Sequence, residues 1–190
     1  MVKDHIYSER ESILQNSTRL IEDAETLASL ERYSSAFALA VLGLEEVGKV
    51  VLLEWDSPKP NSYTRKLKSF HVQKQLAVAC LVQGYDIAEK FRDWPRTKKI
   101  KKEQVRDLAK YMYESHMGLF ERTVSSGRLD KIKHCALYFD STVDEPIRRT
   151  EDFTEEDVSL LFTFAQQARM ALDDNDAVAA GRAIYINSPI

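Results

Sequence analysis

The sequence predicts an all-α fold: one up-down bundle of about five helices across residues 1–190, with an irregular extended connector before the last long helix. Three observations predict it. Apolar residues recur at helical spacing along almost the whole chain. The six glycines and five prolines fall mostly between those periodic segments. At 190 residues and 44% hydrophobic, the chain is long enough to bury about two thirds of its unfolded surface around one core.

The first helix, about 5–30, repeats Ile6, Ile13, Leu20 and Leu27 every seven residues beside Leu14, Ile21 and Ala28. That stripe is wide enough for more than one neighbour. The second, about 33–56, is apolar nearly all round from Ala36 to Leu44 and should be central, ending before the breaker "DSPKP". A third, about 66–93, carries the seam Leu67, Phe70, Lys74, Ala77, Leu81, Gly84, Ala88 and Phe91, with Lys74 its one charged member. A fourth is expected from about 101 to 124 after "DWP". "HCALYFDSTVDEP", 134–146, breaks the period and reads as the extended connector. Thr154 with Asp157 forms a capping pair that opens the last helix, on which Val158, Leu161, Phe162, Ala165, Ala168 and Leu172 share a face.

Thirty acidic and 27 basic residues leave a net charge of -3, so bulk charge commits the protein neither to nucleic acid nor to an anionic membrane. The longest unbroken apolar stretch, Ala36–Leu44, is about half of what crosses a bilayer. Two cysteines and an N-terminus without an apolar signal core point to a cytoplasmic protein without a disulfide. A bundle di-metal motif, zinc spacing, a glycine-rich phosphate loop and a nucleophile elbow are all missing from the sequence, and no cofactor or metal is expected.

The chemistry concentrates in "FALAVLGLEEVGKVVLLEW", 37–55. Glu45 and Lys49 stand at i and i+4, an ion-pair spacing. Glu46 shares its face with Leu39, Leu42, Val50 and Leu53, and an unpaired carboxylate there would cost several kcal/mol. It therefore needs a cation from another helix, and the third helix offers Lys74 with His71 one turn earlier. A polar cluster of Glu45, Glu46, Lys49, His71 and Lys74 inside the bundle is the expectation. Its bland reading is a structural network that fixes helix register. The basic run "RTKKIKKEQVR", 96–106, gathers Lys98, Lys99, Lys101 and Lys102 as RNA-phosphate candidates, against a solvated helix start as the plainer reading. His5 and His116 have no supporting context, and Met112 and Met117 read as packing.

"AFALAVLGLEEVGKVVLL", followed by "FHVQK" and then by "KIKHCALYFD" ahead of a proline, resembles the AbiV family of abortive phage infection proteins, a branch of the HEPN superfamily. The likeness runs from about Leu27 to Leu172. It implies a helical HEPN-type homodimer in antiviral defence, responsive to a phage protein. Many HEPN proteins are metal-independent ribonucleases that carry Arg, four to six residues, then His. Two stretches here fit, Arg65 to His71 and Arg128 to His134. The first sits at the mouth of the presumed cluster, which makes His71, Glu46 and Arg65 the catalytic candidates; His134 reads as a surface residue. Two functions remain open: an RNA endonuclease, or a non-catalytic binding module that inhibits a host or phage component such as the translation machinery.

Overall fold

A computed structural model describes residues 2–55, 69–93, 107, 110, 114, 116–137 and 149–187. Seven α-helices lie among them: α1 (Val2–Ser29), α2 (Tyr33–Glu54), α3 (Phe70–Phe91), α4 (His116–Ser125), α5 (Arg128–Leu137), α6 (Glu155–Leu172) and α7 (Asn175–Asn187). A 3-10 turn, Thr150–Asp152, precedes α6. No strand occurs among the described residues.

Helix α2 is the hub, as its all-round apolar composition predicts. It packs against α1, α3, α5 and α6, while α3 in turn carries α4, α6 and α7. Ala36, Ala38, Ala40, Val41, Val47 and Val50 are fully buried. The α1–α2 hairpin closes through a Schellman turn: the Arg32 N–H donates to the Leu27 carbonyl and the Glu31 N–H to the Ala28 carbonyl, each at 2.9 Å. Glu31 takes the left-handed conformation there (φ 59°) where glycine is usual. From α1, Ile13, Ser17 and Ala24 are buried, and Leu14, Ile21, Leu27 and Ala28 pack partly covered.

Two helix crossings are so close that only glycine fits. A Cβ on Gly48 of α2 would lie 2.1 Å from the Lys74 carbonyl oxygen of α3, and one on Gly84 of α3 would lie 2.4 Å from the Gly181 amide nitrogen of α7. The first crossing matters for function, because it sets α2 against the opening turns of α3.

The structure departs from the predicted five helices in three places. Residues 134–137 of the expected extended connector are the last turn of α5, and 138–148 lie outside the described residues. Helix α5 is too short to announce itself by period: ten residues are marginal alone and are held by packing. Its start is marked instead by Gly127, at φ 72°. Helix α7 is also additional. Asp174 accepts the N–H groups of Asp176 and Ala177 at 2.9 and 3.0 Å and receives Arg92 at 2.8 Å. Its buried side is made of small residues, Ala177 and Gly181, followed by Tyr185, so it lacks the large apolar period that signals a helix. The expected capping pair forms: the Thr154 N–H and hydroxyl both donate to Asp157 Oδ2 at 2.9 Å. Of the fourth predicted helix, residues 107, 110, 114 and 116–124 are helical and the rest lies outside the described residues.

The Gly48 crossing generates a stability prediction. Gly48→Ala should destabilise by about 1–3 kcal/mol through overpacking, although alanine is the better helix former. Thermal unfolding should show a Tm lowered by about 2–12 °C; an unchanged or raised Tm would mean that the crossing is not this tight.

Candidate functional site

Glu45, not Glu46, is the buried carboxylate. Gly48 fixes this, since three residues on it shares a helix face with Glu45, and the close crossing at Gly48 turns that face towards α3. Glu45 is 1% exposed. Its Oε2 accepts from His71 Nδ1 at 2.5 Å and from Lys74 Nζ at 3.1 Å; its Oε1 accepts from Gln75 Nε2 at 2.8 Å and from Lys133 Nζ at 2.7 Å. Each oxygen therefore has two donors. Three of the four come from the first two turns of α3, where Ser69 Oγ accepts the His71 N–H at 3.1 Å and anchors the helix start.

Lys133 of α5, at 3% exposed, continues the network to Asp130 Oδ1 at 2.8 Å. His134 Nε2 lies 4.0 Å from the other Asp130 oxygen. Two carboxylates are thus interleaved with two lysines, whose formal charges balance theirs. Burial alone would push the Glu45 carboxyl up; hydrogen bonds from Lys133, His71 and Gln75 and the Lys133 charge outweigh it and hold the group at about 2. For Lys133, burial works against the charge, but Asp130 and Glu45 raise its pKa above the ordinary lysine value. Glu45 is accordingly ionised, which makes His71 Nδ1 the donor in their contact and leaves Nε2 as the ring nitrogen that Glu45 does not hold. The His71 side chain is 49% exposed, the most open group bound to Glu45.

Of the expected cluster, the fold brings together Glu45, His71 and Lys74. Two members are corrected. Glu46 does not reach Lys74 or His71; it is half-buried and lies 3.9 Å from Lys49 at i+3, and Lys49 pairs with it rather than with Glu45. The reason is angular: one residue along a helix is 100°, so only one of two adjacent glutamates can face α3. Arg65 and the lysines at 98, 99, 101 and 102 lie outside the described residues. His134 is exposed, as expected. Gln75, Asp130 and Lys133 were not anticipated. Gln75 is legible in hindsight as the i+4 neighbour of His71, whereas Lys133 gives no local signal because its helix does not show in the sequence.

Glu45, His71 and Asp130 also place one potential metal-ligating atom each within 4.8 Å of one another. The Lys133 ammonium already bridges the two carboxylates, and Lys74 sits on Glu45 Oε2. A divalent cation entering there would face two positive charges at contact distance, so the donor set suits the ammonium better than a metal.

The Glu45 network should be visible as a pH-dependent stability. A carboxyl at about 2 in the folded chain and near 4.5 unfolded stabilises fully above pH 4.5, and that contribution is lost as pH falls through 2. It amounts to about 3 kcal/mol. Chemical denaturation between pH 6 and pH 3 should therefore show a steeper loss of stability for wild type than for Glu45→Gln. Lys133→Met, which strands the buried carboxylate, should cost about 3–5 kcal/mol at pH 7; a wild-type acid slope matched by Glu45→Gln would contradict this account.

Residues 7–168 match the model of the HEPN AbiV family, described as AbiV. No curated protein matches the chain. No solved structure matches it either. With a family match over most of its length, an all-helical fold and the glutamate of its "LEEVGK" core at the centre of that fold, the chain belongs to the AbiV family of HEPN proteins.

Proposed function

We propose that this protein is an antiphage abortive-infection effector that cleaves RNA without a metal ion, using His71 as its acid–base group. The observation that supports this most is the Glu45–His71 contact at 2.5 Å: a buried, ionised carboxylate fixes the tautomer and orientation of a half-exposed imidazole. Carboxylate-oriented histidine is a recurring device for general acid–base chemistry. In this reading His71 Nε2 takes the proton from a ribose 2'-hydroxyl as that oxygen attacks the adjacent phosphorus, and the leaving 5'-oxygen is protonated from the solvent side. Glu45 is a positioning residue and stabilises the imidazolium while it lasts. Lys74, nine-tenths buried against Glu45, adds positive charge near the developing phosphorane without being free to leave the carboxylate. Arg65, six residues before His71 as in the HEPN signature, holds the scissile phosphate, and the basic run at 98–102 contacts the RNA backbone.

The protein acts in the cytoplasm as a homodimer and is switched on by a phage protein. Among the described residues, no helix is long and apolar enough to cross a membrane. The apolar stripe of the first helix packs on the bundle's own core, and exposed side chains such as Leu30 and Met170 supply area for a partner copy. One observation favours the non-catalytic reading: Glu45 is sealed and fully compensated, which is how a purely structural network is built.

Purified protein should cleave total RNA in the presence of EDTA. His71→Ala should abolish cleavage while keeping the circular dichroism of the wild type, and Glu45→Gln should reduce kcat by about 10–100-fold. Loss of activity in EDTA, or full activity in His71→Ala, would overturn the mechanism; no cleavage of any RNA would favour the binding module. Static light scattering at micromolar concentration should return twice the 21.8 kDa chain mass, and a value near one chain would overturn the homodimer.

A further inference from the structure

Beside His71, in the first turn of α3, Phe70 is 57% exposed. Of the large apolar side chains exposed among the described residues it alone is aromatic, and it stands at the edge of the polar centre. The ring is not loose. Lys74 Nζ lies 5.4 Å from its centroid, a cation–π distance, and Lys74 is itself held by Glu45 at 3.1 Å. The same ammonium thus steadies both the carboxylate behind His71 and the aromatic ring next to it. Helix α5 begins alongside, since a Cβ on Gly127 would lie 4.0 Å from Val72 Cγ2, and Arg128 and Lys131 in its first turn are exposed.

The geometry points to Phe70 as a stacking platform for one unpaired base of single-stranded RNA, set beside the imidazole that acts on the ribose. This rests on the RNA reading of the His71 site and names its substrate class. An aromatic face accepts any base but only one that has left its helix, because a paired base offers no free π-face. Lys74 Nζ lies 5.4 Å from the Phe70 centroid and 3.1 Å from the Glu45 oxygen that also holds His71, so a base resting on Phe70 places its own or the neighbouring ribose near the imidazole. Arg128 and Lys131 provide positive charge for the phosphates that follow. Phe70 fixes which nucleotide enters by being unpaired and does not read its identity.

The test uses the full chain and a fluorescent single-stranded RNA of about 12 nucleotides with 2'-O-methyl riboses, which binds but has no nucleophile. Anisotropy should show Phe70→Ala and Phe70→Leu each weakening binding by about 5- to 150-fold. Phe70→Trp should bind at least as tightly as wild type, and a duplex of the same sequence should be indifferent to all three. Leucine keeps the apolar cover over Lys74 and lacks the π-face, so it separates stacking from packing; Tm read alongside confirms folding. Wild-type affinity in Phe70→Leu, or no binding of single-stranded RNA by wild type, overturns the platform. With unmodified RNA the two readings part. Cleavage that needs His71 but shows the wild-type KM in Phe70→Leu overturns the platform alone. Phe70-dependent binding without any cleavage overturns the nuclease and leaves the platform standing.

Discussion

One buried negative charge organises this protein. Taking the Glu45 carboxylate out of water would be prohibitive alone, and the fold answers it with one amide, one imidazole and two ammonium groups, two donors to each oxygen. Those donors come from α3 and α5, so the charge ties together three helices that are far apart in sequence. The apolar core could tolerate many rearrangements of similar volume. The network tolerates few, because a slip of one residue on either helix would remove a donor and leave a charge bare.

Glycine makes this arrangement possible. Without a side chain at Gly48 the backbones of α2 and α3 meet, and the short reach of a glutamate is enough to span from one helix to donors on the other. A larger residue would separate the helices and let water between them, which would weaken each hydrogen bond as the dielectric rose. Packing and electrostatics are here one constraint seen from two sides.

How far the sequence discloses this depends on which physical signal each residue carries. The central helix and the polar centre between it and the third are legible, since two glutamates and a lysine in an apolar run and a lone lysine in an apolar seam are both anomalies that need each other. The choice between Glu45 and Glu46 is not settled by hydrophobic faces on a helix that is apolar nearly all round. It is settled by Gly48, and reading the glycine as the mark of a helix crossing would have selected Glu45. Helices α5 and α7 escape because short segments owe their helicity to tertiary packing and leave no long period behind. With α5 went Lys133, whose partner is 88 positions away.

The network also limits what chemistry the centre can perform. Lys133 is sealed between two carboxylates, Lys74 is committed to Glu45, and Glu45 is kept ionised by all of them, so none of these three is placed to trade protons with a ligand. His71 differs in kind. Its Nδ1 belongs to the interior and the rest of its ring to the surface, which makes it the one member through which the buried charge can act on anything outside. A structural network would have no need to end in a half-exposed imidazole with an anchored aromatic ring beside it. That ending is what turns a device for helix register into a candidate site.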